Sequence, residues 1–109
     1  MVSIYKKDGV RNMEKTKVVF RKFNKGGDII AMFPREPGTY DVGTCMSYQH
    51  LGQHGSAHVD IVSITKLAKP AEYAALAKEL KGLGYVLDIK EKMTYDDMLE
   101  RKQQINQVK

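Results

Sequence analysis

Residues 17–33 read KVVFRKFNKGGDIIAMF, and this stretch decides the fold. The first seven are rich in β-branched and aromatic side chains, and their alternation sets Val18, Phe20 and Lys22 on one face and Val19, Arg21 and Phe23 on the other. That pattern predicts a strand. Asn24 to Asp28 then supplies two adjacent glycines able to take positive φ, and Ile29 to Phe33 returns as a second apolar run, so the pair predicts a β-hairpin. Pro34 is expected to end the second strand and Arg35 to Thr39 to form the next turn.

Downstream, Cys45 to Tyr48 suits a third strand feeding a loop that holds Gly52 and Gly55, and Val59 to Ile64 suits a further strand or a short helical turn. Pro70 fits the first turn of a helix, where its missing N–H costs nothing, and Tyr73, Leu76, Ala77 and Leu80 then fall on one helical face. Gly82 and Gly84 are placed to close it. Tyr85 to Ile89 is a strand candidate, and Thr94 is a cap for a second helix with Asp96 and Asp97 at its positive end. Tyr95, Met98, Ile105 and Val108 give that helix only a partial apolar stripe, suited to fraying or to contact with another copy.

Together these elements predict an α+β fold: a small antiparallel sheet, made of the β-hairpin plus two or three further strands, packed by one amphipathic helix and followed by a C-terminal helix. Regular patterning begins only after Met13. Residues 1–13 therefore read as a flexible arm or an alternative translation start, and 14–109 as a single domain.

Composition bounds the function classes. No apolar run approaches the roughly 20 residues that span a bilayer, and no secretory signal core opens the chain, so a cytoplasmic protein is expected. Cys45 is the single cysteine and forms no internal disulfide. The net charge of +5 favours polyanionic partners, yet it is spread along the chain without a block of like charge.

Residues 45–58, CMSYQHLGQHGSAH, gather all three histidines with that cysteine. His50, His54 and His58 are four apart, the spacing of a metal site on a helix, but Gly52 and Gly55 argue against a helix there. Polar turn histidines are the simpler reading, and no metal or cofactor is expected. A Cys45–His catalytic pair ranks low, because Cys45 reads as a small buried residue. A ligand cradle suits the composition better: glycines admit backbone N–H groups to a ligand, and Ser47, Tyr48, His50, Gln53, His54 and Ser56 add donors and a ring, with Arg21 and Arg35 as candidate phosphate contacts. A structural turn explains the same residues. Phe20 beside Arg21 lacks the glycine-aromatic motif of an RNA-binding sheet and is assigned to the core.

The segments VVFRKFNKGGDIIAMFP, GTCMSYQHLGQHG and KPAEYAALAKELKGLGYVL resemble small proteins carried by gut bacteria, their phages and mobile elements. The likeness spans roughly residues 16–92 and is most specific over CMSYQHLGQHG. It brings no established activity or catalytic residues. It implies a mobile-element context, in which small proteins counter host defences by binding a defence protein or sequestering a nucleotide signal. The leading expectation is thus a non-enzymatic protein that binds a nucleotide or other small anionic ligand, with a pocket most easily deepened by homo-oligomerisation. The alternative is a protein or nucleic-acid interaction module without a small-molecule pocket, nucleic acid being the weaker of those two partners.

Overall fold

The computed structural model describes residues 15–50 and 53–108. The arm expected over 1–13, the internal start at Met13 and the turn role of Gly52 lie outside the described residues. The elements are β1 (Thr16–Phe23), β2 (Ile29–Pro37), β3 (Thr44–Gln49), β4 (Gln53–His58), a 3₁₀ helix (Val59–Ile64), β5 (Thr65–Leu67), α1 (Pro70–Gly82), β6 (Leu87–Ile89) and α2 (Tyr95–Val108). The fold is α+β, as the sequence pattern predicts.

The opening hairpin forms as expected. β1 and β2 pair antiparallel from Val19↔Met32 to Lys22↔Ile29, and the turn works because Gly26 and Gly27 take φ of 85° and 75°. The remaining order is β4-β3-β2-β1-β5. The outer edge of β1 is shared: β5 pairs antiparallel with Arg21–Phe23, while β6 pairs parallel with Thr16–Val18.

Two local expectations are corrected, and one open alternative is decided. Pro34 does not end β2, which runs on to Pro37; an irregularity between Phe33 and Pro37 absorbs the prolines, whose missing N–H groups cannot serve a regular ladder. Gly55 is a strand residue rather than part of a loop, since β4 pairs with β3 at every position from Thr44↔His58 to Gln49↔Gln53. Of the two readings open for residues 59–64, the short helical turn holds: they form the 3₁₀ helix. His58 caps it, its Nδ1 accepting the Asp60 N–H at 3.1 Å.

Alternation along the strands builds a core on each face. Val18, Phe20, Ala31, Phe33 and Tyr48 meet Leu76, Ala77 and Leu80 of α1, so burying this helical stripe is what holds α1 to the sheet. Phe20 stacks on Tyr73 at 4.4 Å and Phe33 on Tyr85 at 5.2 Å. On the opposite face Ile30, Met32 and Cys45 pack with Val59, Ile61 and Met93.

A buried carboxylate, rather than an apolar stripe, pins α2. Asp97 is fully buried and accepts from Lys17 Nζ at 2.7 Å and Arg35 Nε at 2.8 Å. It also caps the helix reciprocally with Thr94: Asp97 Oδ2 accepts the Thr94 N–H, and Thr94 Oγ1 accepts the Asp97 N–H. One turn on, the buried Arg101 guanidinium donates to the carbonyls of Pro34 and Val42, satisfying the irregular end of β2 and the loop after it. Among the described residues no helix is long and apolar enough to cross a membrane.

Candidate functional site

The α1-facing side of the β3–β4 hairpin carries the polar residues of CMSYQHLGQHGSAH that strand alternation sends there. Tyr48 and His54 are register partners, so their side chains emerge together, and their rings meet edge to face at 4.6 Å. Helix α1 supplies the group that joins them to His50. The Tyr48 hydroxyl, at the end of an otherwise buried ring, donates to Glu79 Oε2, and His50 Nδ1 lies 2.6 Å from Glu79 Oε1. A carboxylate only accepts, so the proton of that bond sits on Nδ1, and Nε2 is the ring's remaining polar atom. His50 is 72% exposed at its side chain, which leaves that nitrogen accessible. His54 Nε2 pairs in turn with the Tyr85 hydroxyl at 2.9 Å.

His50 and Glu79 stand on the wall of a cleft of about 520 Å³ between α1 and the ends of β2 and β3. Its other walls are Glu72 from α1 and Asp28 from the first turn, and apolar contacts come from Ile29, Ala75 and Leu76. Residues 72, 75, 76 and 79 share one helical stripe, which is why a single helix lines the whole length of the cleft. Glu72 is engaged: its carboxylate accepts from Lys22 Nζ at 2.5 Å and from the Lys69 N–H at 2.9 Å, and the Lys22 bond is the main cause that holds it below the usual carboxylate range.

Glu36 lies near His54. Partial burial pushes its carboxyl up, the nearby His54 offsets part of that, and among the described residues it makes no hydrogen bond or ion pair.

The expected ligand residues divide among separate places. Tyr48, His50 and His54 are brought together, and Ser56 follows them on the same strand face beside Met46. Ser47 faces the other way, its hydroxyl donating to the Gly55 carbonyl at 3.0 Å. Gln53 lies on β4 opposite Gln49; its side chain is outside the described structure. Arg21 donates to Thr65 Oγ1 and to the carbonyls of Val62 and Thr65, and Arg35 is bound to Asp97, so neither arginine reaches the cleft. Cys45 is buried in the opposite core, where desolvation raises its thiol to about 11.

Comparison with protein families, curated proteins and solved structures found no match.

The reading of the sequence alone missed Glu79, Tyr85 and Glu36. Glu79 belongs to a helix whose polar residues all look like a solvated face, and only the approach of β3 singles it out. Its partners come from 29 and 31 residues away in the chain, a separation that helical or strand periodicity cannot register.

Proposed function

We propose that this protein binds a small ligand in the cleft between α1 and the β2–β3 end of the sheet, with His50 as the recognising side chain. One observation carries this reading: Glu79 fixes the His50 ring at 2.6 Å while the ring remains accessible on the cleft wall. A pre-oriented polar ring beside an apolar surface is how pockets select one pose of a ligand at small entropic cost. No hydroxyl or thiol among the described residues bonds to His50, so the pair is better arranged to hold a ligand than to activate a nucleophile of the protein.

The lining favours the nucleoside portion of a nucleotide. A ring can lie against Ile29 and Leu76, while the Asp28 carboxylate and the His50 Nε2 edge offer polar contacts to hydroxyl and amino groups. Phosphates would have to point out of the cleft, away from the three carboxylates. In the mobile-element setting that the sequence suggests, such binding would sequester a nucleotide signal.

A panel of nucleosides and mono- to trinucleotides tests this by thermal shift. The expected result is that at least one compound raises the melting temperature of the wild-type chain and not that of His50→Ala, whose own melting temperature stays close to wild type because the side chain is exposed. Equal stabilisation of both proteins would overturn the assignment to His50.

A further inference from the structure

We propose that β4 is a dimerisation edge, where a second copy of this chain adds its own β4 antiparallel and makes one continuous sheet. This goes beyond the cleft and does not depend on it.

The sheet has two edges of different character. On the far side β1 is covered by two three-residue strands, β5 and β6, and β5 carries a lysine at Lys66. Short, charged and interrupted edges are the usual defence against pairing with another chain. β4 has none of these features. It runs six residues, QHGSAH, is paired with β3 throughout without a bulge, and contains no proline, lysine, arginine, aspartate or glutamate. Backbone donors and acceptors on its outer side call for an extended strand, which fixes the chemistry of the partner.

Two properties favour a second copy over an unrelated strand. The chain carries a net +5, yet β4 is formally neutral, so two copies meet at this edge without direct charge repulsion. Its centre, Gly55-Ser56-Ala57, has only short side chains, so no bulky group overhangs the edge along which another backbone would approach. Symmetry then restricts the register. A two-fold axis normal to the sheet keeps each face on the same side, so only residues of like parity pair. Centred on Gly55, it sets His54 of each copy opposite Ser56 of the other, on the α1 side of the sheet. Each pair matches a ring nitrogen with a hydroxyl, and the Tyr85 hydroxyl already bonded to His54 extends the cluster. The two-fold thereby assembles a polar site from His54, Ser56 and Tyr85 of both chains that neither chain holds alone.

Sedimentation velocity of the full chain over a concentration series tests the proposal, with Gly55→Lys and Gly55→Ala as variants. Gly55 has no left-handed φ and has open space at its Cβ, so both variants should fold, which circular dichroism checks. The wild type and Gly55→Ala are expected at twice the 12.4 kDa chain mass. Gly55→Lys sets two like charges across the axis and should weaken the dimer by up to about fivefold while leaving the His50 cleft unchanged, since position 55 pairs with Ser47 and faces away from the α1 side of the sheet on which His50 meets Glu79. A wild type that stays monomeric across the series overturns the proposal. So does a dimer that Gly55→Lys leaves intact, since its interface would lie elsewhere.

Discussion

Replacing Asp97 with alanine is expected to be among the most damaging single changes in the molecule. The carboxylate is fully buried and binds two cations and one backbone N–H at the start of α2. Lys17, whose side chain is only 10% exposed, would be left in a low-dielectric site without its counter-charge, the situation that typically costs about 3–5 kcal/mol. Loss of the cap adds about 1 kcal/mol. Arg35 is half exposed and swings into water, so its share is below about 1 kcal/mol. With partial relaxation of Lys17 toward solvent holding its share to the low end of that range, the sum is about 4–5 kcal/mol, a large fraction of the ~5–15 kcal/mol that holds a typical domain. Urea unfolding followed by circular dichroism measures it directly, with an unchanged slope showing that the denatured state is not the cause. The pH dependence gives an independent check. Burial pushes the Asp97 carboxyl up, but the bonds from Arg35, Lys17 and Thr94 outweigh this and hold it below its usual range. A depressed folded value means the stabilisation is complete above the ordinary aspartate range near ~3.9 and is lost as pH falls through the folded value. Asp97→Asn should therefore lose stability at neutral pH and show a shallower fall in acid than the wild type. A cost below about 1 kcal/mol for Asp97→Ala would refute the claim that this carboxylate pins α2.

Further expectations follow from single contacts. Glu36→Gln should raise the melting temperature at neutral pH and give no gain in acid, because burial raises this carboxyl and its ionised form works against folding; a loss at neutral pH would reveal a bond that the carboxylate makes. Cys45, with its thiol near 11 in the core, should resist alkylation in the native chain and react as the chain unfolds, which a mass-spectrometric time course against denaturant would follow. Gly38→Ala should cost about 1–3 kcal/mol, since a Cβ there would lie 2.5 Å from Ser56 Cβ and 2.7 Å from the Cys45 carbonyl oxygen; thermal unfolding beside the Gly55→Ala control separates this clash from a general glycine effect. Tyr48→Phe removes a hydroxyl bonded to the Glu79 carboxylate and should cost about 1.5–3 kcal/mol in chemical unfolding.

The parts of the fold legible in the sequence are those that local patterning specifies by itself. The glycine turn at 26–27, the alternation of β1 and the apolar stripe of α1 each declare an element without reference to the rest of the chain. β4 could not be seen this way. Gly55 signals a loop by composition, and it becomes a strand because β3 offers a ladder at every position. The 3₁₀ helix likewise owes its start to the His58 cap rather than to its apolar residues, which alternate well enough for a strand. α2 looked weakly anchored because its hold on the sheet is polar: Asp97 and Arg101 act through partners 59–80 residues away. The candidate site was half visible for the same reason. Tyr48, His50 and His54 stand out as a cluster in the sequence, while Glu79 and Tyr85, which organise them, do so only once α1 and the chain after it lie against the hairpin. The two arginines proposed as phosphate contacts are engaged in bonds away from the cleft, which composition does not reveal.

The central claim concerns His50, and its imidazole can be observed directly. In a two-dimensional NMR spectrum of the histidine rings, titration with the nucleoside and nucleotide panel should move the His50 resonances and leave those of His58 in place, since His58 caps the 3₁₀ helix away from the cleft. A panel in which no compound moves the His50 ring, or in which binding moves His58 alone, would contradict the account.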